Sequence, residues 1–521
     1  MLHRLVGLIG VGLLVAACAP TAPAPTTQTG GQAPASTEKR AASQVLRIAQ
    51  IGLPATMSPE ASASNAPLYG AMYDALVWID GKNNVLPWAA EKWTQVNPTT
   101  WRFNLRRDMT FSNGDKLTAA DVEFTLNSIV ENRWPQISLL TNLTGAKMVD
   151  DYTVDVMTKQ LDASIVPGLI AGWIVPKNYY TSVSKNGFAA KPVGSGPYEL
   201  VEFRANDIAT FKKRSTEHPF RKVVATDLTI RSITEQTQMA TGLRTGDLDA
   251  VVGLLRPDVV EQIARTDAKV EYKTVTNVSA LISQPEMAMR NTPLQDKRVR
   301  WALNYAVDKE AMAKTLFKGY ALAAGQLSAP NSPGWDESIK PTPYDPAMAK
   351  KLLAEAGYPN GFKLPIGIEF TPQTVDPNIA LAIQSNLKDV GIDAPVTPYE
   401  LAAFLDKYYG RNGQVKGDLF IQATSDGNGF MTHAQGLYSC ALVLDWWCSE
   451  EFDRNMALAN GEPDIAKRGV LMKKAVRAFY DDVSHINLLI SSTFRVTGPK
   501  MRAGVWENSS AYLWDEAYKV E

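Results

Sequence analysis

QDKRVRWALNYAVDKEAM, residues 295–312, decides the fold class through what it is and what surrounds it. Asp296 stands where a capping carboxylate accepts a backbone N–H. Val299, Ala302, Leu303, Ala306 and Val307 then recur at the intervals of three and four that line one helix face. YDPAMAKKLLAEAGYPNGF (344–362) repeats the pattern, with Asp345 as cap, Pro346 at the first helical position, an apolar face of Ala349, Leu352, Leu353 and Ala356, and Gly357 as the stop. Strand-like runs lie on both sides: VLRIAQ (45–50), WRFNLR (101–106) with Trp101, Phe103 and Leu105 on one face, KLPIGIEF (363–370), DLFIQA (418–423) and SHINLLIS (484–491). Helical patterns over 377–390 and 464–480 separate the later strands, and this alternation predicts an α/β fold.

Further toward the N-terminus, FSNGDKLTAADVEFTLNSIV (111–130) predicts a turn at Asn113-Gly114 and a helix with Thr118 and Asp121 at capping-box spacing. PVGSGPYELVEFRANDIATFKKR (192–214) reads as a glycine-rich turn and a hairpin, the glycines being expected to supply positive φ. Residues 228–252 read as strand, a helix ending at Gly246, and a second strand from Asp249 to Val252.

The chain starts with an apolar run from Leu5 to Ala17, behind Arg4, of about 13 residues. That is short of the roughly 20 that span a bilayer, so it reads as an export signal (1–17). Leu14-Val15-Ala16-Ala17-Cys18 resembles the bacterial lipobox, whose cysteine carries a diacylglyceryl group, with one extra residue; Val15-Ala16-Ala17-Cys18 fits as well. An ordinary cleaved signal with an incidental cysteine is the rival. Residues 19–44, rich in Ala, Pro, Thr, Gln and Gly, lack the apolar surface needed to offset the entropy of ordering, so 18–44 is a lipidated cysteine and flexible stalk. An extracytoplasmic, lipid-anchored location follows.

Lys+Arg 53 against Asp+Glu 54 and 45% apolar residues describe a globular chain without the net positive face that nucleic acid demands. Cys440 and Cys448 lie close together in YSCALVLDWWCSEEF, and outside the cytoplasm such a pair is expected to form a disulfide; metal binding is the rival, but no third or fourth ligand stands at useful spacing. The four histidines, 3, 218, 433 and 485, form no H-E-x-x-H helix. Ser182-Val183-Ser184-Lys185 matches S-x-x-K without K-T-G or S-D-N partners, which leaves an extracytoplasmic hydrolase as a remote alternative. No enzyme activity, cofactor or metal is expected.

Six stretches together resemble the solute-binding proteins of bacterial peptide-type ABC importers, a class that also serves nickel chelates, oligosaccharides and opines. They are FSNGDKLTAADVEFTLNSI (111–129), PVGSGPYELVEF (192–203), TGLRTGDLDA (241–250), NTPLQDKRVRWALNYAVDKEAM (291–312), YDPAMAKKLLAEAGY (344–358) and SHINLLISSTFRVTG (484–498), in the family's order. SCALVLDWWCSEEFD (439–453) looks like the cysteine-bridged loop of the dipeptide-binding branch. The resemblance implies a two-lobed periplasmic-binding-protein fold, type II with an extra inserted domain, closing about a hinge. It implies lobe I from 45–85, 190–285 and 495–521, an inserted domain over 86–189, and lobe II over 286–494. It also implies capture of a di- or oligopeptide, delivery to a membrane permease by a monomer, and an opine, oligosaccharide or metal chelate as the alternative cargo. A sensor role is a further alternative.

Peptide-binding relatives carry an aspartate that pairs with the ligand's α-ammonium in the loop matching GDLFIQATSDGNGFMTH, which carries the role onto Asp426, with Thr424, Ser425, Gly427 and Asn428 beside it. A turn aspartate bonding its own backbone is the competing reading. Trp446 and Trp447 are candidates to line the pocket or to fill core. Dipeptide-binding members follow this aspartate with a Gly-Asp-Pro-rich run and hold the ligand carboxylate with an arginine after a lobe II strand. Here the matching stretches are GNGFMTHAQG and IEFTPQTVDPN, without arginine. Expressed with its signal, Cys18→Ser is expected to leave the membrane fraction; continued membrane attachment in that variant overturns the lipid reading.

Overall fold

The computed structural model describes residues 39–521 apart from 62–65, 81–83, 254, 266, 283–291, 331, 373, 410–416, 426–439, 441–448, 463 and 504–513. Residues 40–521 form one unit, separate from 1–39. Its spine is an 11-stranded sheet ordered Val396–Pro398, Ile368–Phe370, Leu419–Ser425, Lys269–Ile282, His485–Thr497, Ala250–Gly253, Val45–Gln50, Asp227–Ser232, Ile208–Lys213 and Tyr198–Arg204, with Ala321–Ala323 also pairing on His485–Thr497.

Two long antiparallel strands, Lys269–Ile282 and His485–Thr497, run through its middle. One end of the pair neighbours Ala250–Gly253, and the other neighbours Leu419–Ser425. Twice the register slips. Thr274 faces Ser492 while Thr276 faces Ser491, leaving Val275 extra; Val278 faces Leu489 while Ser279 faces Asn487, leaving Leu488 extra. An extra residue bends a strand and increases its twist, so the pair changes direction between its two ends.

The expected caps are present: Asp296 accepts from Arg298 N–H, Asp345 from Met348 N–H, and Thr118 and Asp121 close a capping box. Val299, Ala302, Leu303, Ala306 and Val307 are all buried, and each large one contributes about 1.5–3 kcal/mol relative to exposure. They join Ile368, Phe370, Ile379, Ile383, Leu419 and Ile421 in a core on the side of the sheet holding Ile368–Phe370. A second core there, with Phe404, Tyr408, Phe420, Phe452, Met456 and Phe479, lies under the helices Leu401–Tyr409, Glu450–Asn460 and Ile465–Asp482. Buried Arg300 closes the end of the last of these helices, donating to the carbonyls of Asp482 (2.9 Å) and Val483 (3.2 Å).

The other half of the sheet shares a core with a separate 4-stranded antiparallel sheet, Ala90–Asn97, Thr100–Leu105, Thr153–Thr158 and Leu143–Asp150 in spatial order. Gly194 and Gly196 join these parts for a reason other than the one expected. Neither has positive φ; they press on the helix Ala66–Met72, and a Cβ on Gly194 would land on the Met72 carbonyl. Both ends of the 40–521 unit meet in this half: Arg40 bridges Val520, Ala41 N–H donates to the Lys519 carbonyl (3.0 Å), and the Gln44 amide bonds Lys519 twice.

Asp74, fully buried, anchors this half. Its Oδ1 accepts from Trp88 Nε1 (2.9 Å) and Arg221 Nη1 (3.1 Å), and its Oδ2 from Ser195 Oγ (2.8 Å) and His218 Nε2 (3.1 Å). Arg221 continues to Asp515 through two 2.8 Å bonds. Burial alone would push the Asp74 carboxyl up, but His218, Arg221 and Ser195 outweigh it and hold it well below the usual carboxylate range. A carboxyl depressed in the folded state contributes stability that is present above its unfolded pKa, near 3.9, and is lost as pH falls toward the folded value. Asp74→Asn is therefore expected to lower stability by about 3 kcal/mol at pH 7 in urea titrations and to flatten the acid side of the stability profile. An unchanged acid profile assigns that limb to other groups.

Candidate functional site

The site follows from strand direction. In one half, Val45–Gln50 runs parallel to Asp227–Ser232 and Ala250–Gly253, and the last of these ends at Gly253 opposite Phe494. In the other half, Ile368–Phe370 runs parallel to Val396–Pro398 and Leu419–Ser425. Leu419–Ser425 starts opposite Ile282 and finishes with Ser425 opposite Thr276, one residue beyond the extra Val275. The carboxyl ends of both parallel sets therefore point toward each other across the bulged strands. Ligands of α/β sheets bind outside the carboxyl ends of strands, so this junction is the candidate crevice.

The sequence reading reaches that place from one side. Thr424 and Ser425 pair with Asn277 and Thr276 at the junction, and Asp426 follows Ser425 in the chain. Asp426, Gly427, Asn428, Trp446 and Trp447 lie outside the described residues, as do Cys18 and Cys448. Cys440 is exposed, and its N–H donates to Asp453 Oδ2 (2.8 Å) in the first turn of the helix Glu450–Asn460. Of the S-x-x-K match, Ser182 Oγ donates to the Tyr179 carbonyl (2.8 Å), and Lys185 Nζ faces Glu60 (3.6 Å). Neither bond joins Ser182 to Lys185.

The opposite wall went unread in the sequence. Gln50 ends its strand buried, its amide donating to the Gly52 carbonyl (2.9 Å) and its own carbonyl accepting from Ile233 N–H (3.0 Å). Arg256, three residues beyond Gly253, has a half-exposed guanidinium 3.3 Å from Asp258, and its N–H is held by Gln236 Oε1 (2.6 Å). No periodicity marks Gln50; only its pairing with Ser232 and Val252 places it at the carboxyl edge of the parallel strands.

The strand in IEFTPQ, which lacks the arginine of dipeptide binders, carries a different charge. Glu369 is almost fully buried, its Oε1 accepting from Lys407 Nζ (2.6 Å) and its Oε2 from Tyr408 Oη. Lys407 also reaches Tyr399 Oη (3.2 Å), and the Tyr408 oxygen accepts from Gly417 N–H (3.0 Å). Burial would pull the Lys407 ammonium down, but Glu369 and Tyr399 outweigh it and raise its pKa. Its charge is thus spent inside the protein. Among the described residues, no group of three His, Cys, Asp or Glu side chains is placed to hold a metal ion.

Opposed parallel sheets joined by shared strands define a two-lobed α/β solute-binding fold. The chain belongs to the bacterial extracellular solute-binding proteins, family 5: the family's profile, described as "family 5 Middle", matches residues 84–440. The glutathione-binding protein GsiB of Salmonella choleraesuis is 29% identical over 333 residues, 63% of this chain and 64% of that protein. The nickel-binding periplasmic protein of Escherichia coli is 28% identical over 344 residues, 62% of this chain and 64% of that protein. The chain's match thus spans 64% of the length of these relatives. Among solved structures, the periplasmic binding protein DppA of Helicobacter pylori in complex with the peptide STSA superposes with a TM-score of 0.77 at 22% identity, covering 92% of this chain and 98% of that one.

Lys407→Met is expected to lower stability by about 3 kcal/mol, because it strands the Glu369 carboxylate in the core. Adding Glu369→Gln should recover most of that loss in urea titrations. A double variant no more stable than Lys407→Met places the cost in packing instead.

Proposed function

We propose that the protein captures a peptide or similar small solute in the crevice between its lobes and delivers it to the permease of an ABC importer. The observation that carries this reading is the meeting of two opposed sets of strand carboxyl ends at a bulged two-strand crossing. Lobe I takes 45–85, 190–285 and 495–521, the inserted domain 86–189, and lobe II 286–494, with closure bending the crossing strands. The GsiB relative and the peptide-bound DppA structure favour a peptide ligand. The nickel-binding relative supports the second reading, a non-peptide solute such as a metal chelate, opine or oligosaccharide in the same crevice.

Asp426 is the proposed anchor for the ligand ammonium, with Thr424, Ser425, Gly427 and Asn428 shaping its loop and Trp446 and Trp447 as aromatic wall. A carboxylate enclosed on closure needs a cationic partner, since burying it alone costs several kcal/mol. Cys440 and Cys448 are proposed to be bridged, which stabilises the loop between them by about 2.5 kcal/mol in the chain-entropy model. The protein works as a monomer outside the cytoplasm. Lipid on Cys18 confines it to the membrane surface and raises its effective concentration at the permease.

Native mass spectrometry of residues 45–521, purified without refolding, reads the cargo directly. A co-purifying peptide series is expected, and Asp426→Asn is expected to abolish its retention while leaving the melting temperature within a few degrees of wild type. A non-peptide mass retained equally by Asp426→Asn overturns both the peptide and the anchor and leaves the fold assignment standing.

A further inference from the structure

Away from the crossing strands, the inserted domain touches lobe II. The loop Leu161–Ser164 leaves the strand Thr153–Thr158 of the 4-stranded sheet, and Ile165 and Val166 just beyond it are buried in the shared core of that sheet. Across from it stands the end of the helix Glu450–Asn460, whose Phe452, Met456 and Ala459 belong to the core under the opposite lobe. Ala163 N–H donates to the Asn460 carbonyl (2.6 Å), and Arg468 Nη1, on the next helix, reaches the Ala163 carbonyl (3.4 Å). Leu161 packs against Gly461.

The loop is shaped in advance by its own domain. Asp162 Oδ1 accepts from Ser164 N–H (2.8 Å) and Oγ (2.6 Å), and its Oδ2 accepts from Asn142 Nδ2 (3.0 Å). The carbonyl of Asn460 is thus satisfied across the contact, but its side chain is not. Asn460 is 1% exposed, and neither its Oδ1 nor its Nδ2 has a hydrogen-bond partner. An amide shut away from water without partners opposes the arrangement that shuts it away. Parting the loop from the helix end costs the two hydrogen bonds of this contact, beside the partly exposed Lys318–Glu261 pair elsewhere between the lobes.

We propose that Ala163, Asn460 and Arg468 form the latch of the closed state, that parting the lobes returns the orphaned Asn460 amide to solvent, and that this amide is thereby a built-in counterweight that keeps the latch easy to release. Backbone and guanidinium bonds align the lobes, and the amide biases them apart. The binder can then surrender its solute instead of remaining shut. The inference rests on lobe closure as proposed above and is independent of which solute is bound.

Hydrogen exchange at the Ala163 amide, in ligand-free mature protein, reads the latch without a ligand. In wild type, exchange should be insensitive to low urea, because opening the lobes exposes little surface compared with unfolding. Asn460→Leu retains the backbone acceptor and removes the stranded polar atoms, so exchange should slow by about tenfold or more; Asn460→Ala, a milder change, should slow it less. Arg468→Gln should hasten it severalfold. Exchange in every variant that follows urea as global unfolding does means the lobes do not open, and closure itself fails. Urea-insensitive exchange that is unchanged or faster in Asn460→Leu, with a wild-type melting temperature, keeps closure and overturns the counterweight.

Discussion

The shared ladder between Lys269–Ile282 and His485–Thr497 is the constraint under which the rest of the molecule is organised. Both strands cross from one half to the other, and their backbone hydrogen bonds are common to both. A ladder of this kind cannot slide, because a one-residue slip would send every side chain to the wrong face. Its register is already broken at Val275 and Leu488, where an extra residue bends a strand and increases its twist. The crevice at the meeting of the strand carboxyl ends therefore lies beside two extra residues in strands that make no special claim to chemistry.

Each half is stiffened by charge sealed inside it. Asp74, Arg221, His218 and Asp515 join the Ala66–Met72 region to the C-terminal segment, and Glu369 with Lys407 and Tyr408 joins the Ile368–Phe370 strand to the helix above it. Removing one partner of such a pair leaves an uncompensated charge in a place water cannot reach, so these networks resist deformation at neutral pH. Contacts between the halves are of a different kind. Lys318 pairs with Glu261 where both are partly exposed, and Ala163 meets Asn460 through a backbone bond. Satisfaction is strong within the halves and modest between them.

Much of the local structure was legible because local physics determines it. The Asp296 and Asp345 caps, the Thr118 box, the Gly246 stop in left-handed conformation and the VLRIAQ strand all rest on interactions within a few residues. The central strand was only half legible. SHINLLIS was read as a strand, but His485–Thr497 runs six residues further and is buried along almost its whole length, so no alternation marks its faces. The bulges, the place of Gln50 and the Ala163–Asn460 contact arise from pairings between residues far apart in the chain, which no window of sequence contains. Gly194 and Gly196 show the same limit: their identity was noted, but the Met72 backbone that excludes a side chain is distant in the chain.

The meeting of Arg40 and Ala41 with Lys519 and Val520 has a mechanical meaning. Whatever precedes Arg40 is joined to the half of the sheet that also holds the C-terminal segment, and the chain there is clamped by Gln44 and Lys519. A pull applied to the chain at Arg40 is borne by that half alone and does not pass through the crossing strands. Load entering at Arg40 therefore leaves the Val275 and Leu488 bulges unstrained.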